Sequence, residues 1–175
     1  PVYKTDTKLR IWAGHLLPQG KIAQVLPKLM IDPLWPVQLE QLSAEITFKD
    51  FLAGETLQLT EDIKIKTVLL NHPNRATGYR VEYGDYSISY VTDTEHYPDR
   101  MDNEIINLIQ NTDIFIYDCM YTNEEYPNHI NWGHSTWQEG VKLANEADVG
   151  KFVAFHHEPD HTSLKKTNEC RPIDY

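Results

Sequence analysis

The sequence predicts an α+β fold, a layered domain in which helices cover the faces of a sheet. Three observations carry this. Four apolar runs, IKIKTVLL (63–70), YSISYV (86–91), DIFIYD (113–118) and KFVAF (151–155), have the length and composition of strands that enter a core. GYRVEY (78–83) and YSISYV flank Gly84-Asp85, a two-residue hairpin signal. Helical patterns fill the gaps between the last three runs, and strands that alternate with helices form a sheet with helices packed on it.

Taken in order, the first sixty residues are the least regular. LRIWA (9–13) reads as a strand. Residues 22–30 have helical apolar spacing, yet Pro27 is expected to disrupt a helix interior. Pro33 and Pro36 bracket Leu34-Trp35 and force an extended or turning path there. ITFKDF (46–51) reads as another strand. Further on, Asp99 is placed to cap a helix carrying Ile105, Ile106, Leu108 and Ile109. Ser135-Thr136 followed by Gln138-Glu139 gives two overlapping capping boxes, opening a helix with Trp137, Val141 and Ala144 on one face. Residues 162–175 show no period and read as a poorly ordered tail.

Length and composition set the frame. With 175 residues the chain can bury one core, and residues 1–175 are expected to form one domain. Hydrophobic content of 41% and charged content of 24% are those of an ordinary globular protein, and no apolar run has the length of a membrane span. Two cysteines, Cys119 and Cys170, make no disulfide framework, which points to a reducing, cytoplasmic setting. A net charge of -10 disfavours a nucleic-acid partner, because phosphate contacts call for clustered Lys and Arg.

Five polar residues stand out against this map. His72, Asp93, Asp118 and His156 each sit at or just past the end of a strand-like run, and His134 lies in GHSTW. Strand ends are rigid enough to hold metal-site geometry if the strands are neighbours. Histidine and aspartate together suit zinc, manganese or iron. Each residue also has a plainer reading. A single histidine after a strand is more often a satisfied surface residue than a ligand. Asp93 in TDTE suits a turn, and His134 could simply precede a helix cap. His156 and His157 are adjacent, so on a strand they point to opposite faces and at most one reaches a shared site.

At these residues the sequence resembles the metallo-β-lactamase superfamily, and within it the phosphodiesterase branch that includes ribonuclease Z and the cyclic-phosphate phosphodiesterase of phosphonate breakdown. NHPNRATGYRVEYGDYSISYVTDTE resembles that branch's strand–His–hairpin–Asp segment, and IYDCMYT, GHSTW and FHHEPDH follow in order. The likeness is close over residues 60–161 and loose over 9–60. It implies an αββα layered sandwich, incomplete in its first half, and a metal-dependent hydrolase, with a phosphodiesterase favoured. His72, Asp93 and His156 would be metal ligands, Asp93 bridging two divalent ions (zinc or manganese), with His156 preferred to His157. His134 would give a proton to the leaving group while Asp118 holds its tautomer, and a metal-activated water would attack. The substrate would be a small phosphodiester or another ester.

One departure matters. The superfamily's His-x-His-x-Asp-His motif is formed by none of the eight histidines. The chain could be a C-terminal fragment, which Pro1 favours, a relative that has lost its metals, or one that borrows ligands from another chain. The competing reading is a metal-free remnant that serves as a binding or assembly module, with a homodimer as one form. Glu158 and His161 are candidate outer partners of the site.

Overall fold

The structure, a computed structural model, describes residues 2–161; the expected tail at 162–175 lies outside the described residues. The chain divides into two compact units, Pro1–Leu52 and Ala53–Tyr175.

In the first unit, β1 (Lys8–Ala13) and β2 (Glu45–Asp50) pair in parallel, with α1 (Ile22–Leu29) in the connection between them. The backbone N–H of Ile22 donates to Asp50 Oδ1 at 2.8 Å, so the last residue of β2 satisfies an amide that the helix start leaves open. Pro27 lies inside α1 without ending it. It enters in the last turn of an eight-residue helix, where the missing N–H removes a single bond.

The second unit is a six-stranded sheet in the order β3-β4-β5-β6-β7-β8, built from β3 (Thr56–Gln58), β4 (Ile63–Leu70), β5 (Ala76–Tyr83), β6 (Tyr86–Val91), β7 (Ile114–Asp118) and β8 (Phe152–Phe155). Neighbours from β3 to β6 run antiparallel, while β6/β7 and β7/β8 are parallel. Strands β4, β6, β7 and β8 therefore all point the same way, and their C-terminal ends share one edge. Gly84 takes φ +56° in the β5–β6 hairpin, where a side chain would be strained. Strand β3 has no sequence signal beyond Leu57, the one buried side chain among its three residues.

The two parallel crossovers are helical, α2 (Asn103–Ile109) between β6 and β7, and α3 (Trp137–Glu146) between β7 and β8. Both lie on the same core. Ile105, Leu108 and Ile109 of α2 join Leu143 and Ala144 of α3 and the sheet residues Val68, Leu70, Val91, Phe115 and Tyr117. The cap of α2 is Asp102 rather than Asp99: its Oδ1 accepts from the N–H groups of Glu104 at 2.9 Å and Ile105 at 3.3 Å. A capping carboxylate reaches amides two and three positions on, and Asp99 stands too early for that. Thr136 caps α3 through the N–H of Glu139, at 3.2 Å, which resolves the two overlapping boxes. The buried face of α3 runs through Gly140, Leu143 and Ala144, while Val141 is half-buried.

The opposite face of the sheet carries a group of exposed apolar side chains. Leu69, Val81, Ile88, Tyr90 and Phe155 are all exposed, although register places them together on one side. Among the described residues no helix is long and apolar enough to cross a membrane.

Gly140 marks the closest approach of α3 to the sheet. A methyl group there would lie 2.7 Å from Tyr117 and from Phe152. Gly140→Ala is expected to lower stability by about 1–3 kcal/mol through overpacking, despite alanine's better helix propensity, as read by urea denaturation.

Candidate metal and acid–base site

The shared strand edge gathers all five residues singled out in the sequence. His72 follows β4 by two residues, Asp93 follows β6 by two, Asp118 ends β7 and His156 follows β8 directly. His134 arrives on the loop before α3. Asp93 (φ 59°) and His156 (φ 58°) both adopt the left-handed backbone conformation. Asp and His tolerate it better than most residues, and it turns each side chain sharply off its strand.

Asp118 is the hub. Its side chain is 0% exposed. Oδ2 accepts from Nδ1 of His134 at 3.0 Å, Nδ1 of His156 at 3.2 Å and the N–H groups of Asp93 at 2.9 Å and Thr94 at 3.3 Å. Oδ1 accepts from the N–H groups of Met120 at 3.3 Å and Ser135 at 3.4 Å. Burial pushes this carboxyl up, but hydrogen bonds from His134 and His156, and their charge, outweigh it and bring the group below the usual carboxylate range. An ionised carboxylate only accepts, so both imidazoles present Nδ1–H to it and keep a lone pair on Nε2. The His134 and His156 rings stand nearly perpendicular, with centroids 4.8 Å apart.

His72 and Asp93 complete the cluster. His72, Asp93 and His134 each offer one ligand atom within 4.8 Å of the others, and His156 Nδ1 lies 4.0 Å from Asp93 Oδ1. Asp118, His134 and His156 form a second such group, yet the contacts already made by Asp118 leave it poorly placed to coordinate. His72, Asp93 and His134 therefore have the spacing to hold one divalent cation of the kind histidine and carboxylate favour. A second cation with an independent set of donors is not provided among the described residues. The fit at His72 has a condition: its Nδ1 accepts from the N–H of Asn74 at 3.3 Å, so a neutral ring holds its proton on Nε2 and must surrender it to coordinate there.

Two residues that sequence reasoning missed support the cluster. Glu95 is buried, and its carboxylate accepts from Tyr126 Oη at 2.7 Å and from the N–H groups of Asn131 at 2.8 Å and Gly133 at 2.9 Å. Its own backbone is tied to Asn71. It thus locks the loop that delivers His134 to the strand ends bearing His72 and Asp93. Gly133, with φ +88°, packs against the His72 ring; a Cβ there would lie 2.9 Å from Nε2 and 2.7 Å from Pro73. The TDTE stretch hints at a polar loop, but no local signal pairs Glu95 with residues more than thirty positions later. Of the outer partners suggested, His161 Nε2 meets Glu125 Oε1 at 3.1 Å, and its N–H donates to the Glu158 carbonyl.

Two tests follow from this geometry. The hydrogen bond to Asp118 holds the His156 imidazole above the ordinary histidine value of 6.5; burial opposes it, and the Asp118 and Asp93 charges reinforce it. A raised folded-state value gives a contribution to stability that is complete below 6.5 and is lost as pH rises through the folded value. In metal-free protein the His156 ring should titrate above 6.5 by NMR, and Asp118→Asn should bring the midpoint down. Gly133→Ala should displace His72 and weaken divalent-cation binding about ten-fold or more by calorimetry, with the fold retained by circular dichroism. Unchanged affinity would remove His72 from the ligand set.

The beta-lactamase superfamily domain matches residues 4–157. No curated protein matches the sequence. Among solved structures the fold is similar to the metallo-beta-lactamase fold protein YhfI from Bacillus subtilis, with a TM-score of 0.67 and 19% identity over 91% of this chain and 55% of that one. It is similar to the short form of human tRNase Z, with a TM-score of 0.65 and 14% identity over 86% of this chain and 60% of that one. A diphosphatase from the PhnP family gives a TM-score of 0.62 and 16% identity over 94% of this chain and 54% of that one. The chain thus spans between 54% and 60% of the length of these structures. Because a tRNase has this fold, the net charge does not support setting nucleic acid aside as a partner. The layered αβ architecture expected from the sequence is the one these structures share, and the chain belongs to the beta-lactamase superfamily.

Proposed function

We propose that this chain forms the greater part of a metal-dependent hydrolase site that acts on phosphodiesters. The observation that carries the reading is the fixed tautomer of His134, whose Nδ1–H is donated to the buried carboxylate of Asp118. A ring held this way can take a second proton on Nε2 and release it to a leaving oxygen, and the carboxylate stabilises the charged ring meanwhile. That service matters most when the leaving group is an alkoxide, as in a phosphodiester.

In this proposal His72, Asp93 and His156 hold the divalent cation, zinc or manganese. When bound, the cation supplies Lewis acidity and lowers the pKa of water near it. His156 contributes through Nε2, because Asp118 occupies Nδ1. Asp93, half-exposed, offers its carboxylate at the mouth of the site. The likeness to a PhnP-family diphosphatase and to a tRNase supports phosphoesters as the substrate class. The domain match runs through both compact units, which supports reading residues 1–175 as one metallo-β-lactamase-like domain. A second ion, as in the complete family site, would need ligands beyond those described.

A second reading of His134 has its own support, since His134 shares a ligand-sized cluster with His72 and Asp93. One experiment separates the two. Under the acid reading, His134→Ala lowers kcat on bis(4-nitrophenyl) phosphate by about 100-fold or more and leaves metal content per chain unchanged. A parallel fall in metal content would make His134 a ligand. Chelation should abolish turnover in either case, and a folded chain without metal or turnover would favour the binding-module reading.

A further inference from the structure

Beside His72 the second unit holds a cavity of about 540 Å³ walled by Glu95, His96, Tyr97, Tyr126, Ile130 and Asn131. This is the size of a small-ligand site. Its chemistry is selective. The Glu95 carboxylate is part of the wall, and no Lys or Arg lines it among the described residues. The nearby Arg100 stacks on the Tyr97 ring, 4.3 Å from its centroid, but is not a lining residue. An anion in this cavity would face the buried Glu95 carboxylate, and no Lys or Arg of the wall offsets it. The His96 and Tyr126 rings pack on each other, 4.2 Å between centroids, and so make one aromatic wall on which a flat group can stack, with Ile130 as an exposed apolar edge.

A buried chain of hydroxyls sets the polarity of His96. Tyr117, fully buried, donates its phenol hydrogen to Ser135 Oγ at 3.0 Å. Ser135 Oγ lies 2.9 Å from His96 Nδ1. The arrangement that gives both hydroxyl hydrogens an acceptor runs from Tyr117 to Ser135 and from Ser135 to Nδ1. Burial lowers the His96 pKa, against the charges of Glu139 and Glu95, so the ring is neutral near pH 7. A neutral ring that accepts at Nδ1 carries its proton on Nε2. That atom makes no hydrogen bond with another described residue.

We infer that this cavity binds an uncharged, planar group bearing a hydrogen-bond acceptor, which His96 recognises through Nε2–H. On the hydrolase reading this group is the non-reacting part of the substrate; the binding chemistry itself does not depend on that reading. The site thus selects a neutral ring and rejects a second anionic group.

The test uses metal-free full-length protein with nicotinamide and nicotinate, two flat probes of the same shape that differ in charge. Nitrogen NMR of histidine-labelled protein should show His96 as the Nε2–H tautomer. Nicotinamide should shift the His96, Tyr97 and Ile130 resonances saturably, and nicotinate should bind about ten-fold more weakly. Ile130→Glu, at an exposed lining position outside the catalytic cluster, should weaken nicotinamide binding about five-fold or more. Nicotinate binding as tightly as nicotinamide, no saturable shift with nicotinamide, or an Nδ1–H tautomer at His96 would each overturn the inference. Neither probe is hydrolysed and no cation is present, so this result stands apart from the fate of the hydrolase proposal.

Discussion

The carboxylate of Asp118 is the constraint on which the rest of the site depends. A buried anion is tolerated only when donors surround it. Here the donors are two imidazoles and the backbone of three separate segments, after β6, after β7 and before α3. The same contacts that stabilise the charge also orient His134 and His156 and pin the turn that carries Asp93. Removing the charge would leave those donors unmatched, so packing and chemistry are not separable at this position.

The central sheet could be read from sequence because its signals are local. Strand β4, the Gly84-Asp85 hairpin and the apolar runs of β7 and β8 are each set by side chains within a few positions of one another. So are four of the five site residues, since each sits at or just past a strand end. What could not be read depends on tertiary contact. Leu57 makes β3 a strand only because β4 is there to pair with it. The cap of α2 fell at Asp102 because helix entry was decided by docking on the core, which a choice between two nearby aspartates does not reveal. Glu95 looked like one more acidic loop residue, and its burial is created by a loop whose sequence begins thirty residues later.

Direction is the fold's contribution to the site. The antiparallel hairpin reverses the chain twice between β4 and β6, and the helical crossovers keep β6, β7 and β8 aligned. Four strand ends then meet without any loop having to reach far. Glu95 adds a second tier by fastening the His134 loop to that edge, and Gly133 lets the loop close against His72. The group of exposed apolar side chains lies on the other side of the same sheet from α2 and α3, and it includes Phe155, the residue just before His156.

The switch from antiparallel to parallel pairing at β6 also bears on how the molecule assembles. Strands β3 to β6 form a meander of near neighbours, whereas β7 and β8 must wait for long chain segments to close. Loop closure over such distances is slow relative to hairpin formation. His72 and Asp93 sit at strand ends of the meander, and Asp118, His134 and His156 on the segments that the two long crossovers bring in. Asp118 gains its contacts from Ser135 and His156 only with both crossovers in place, which ties the integrity of the reactive cluster to the completeness of the fold.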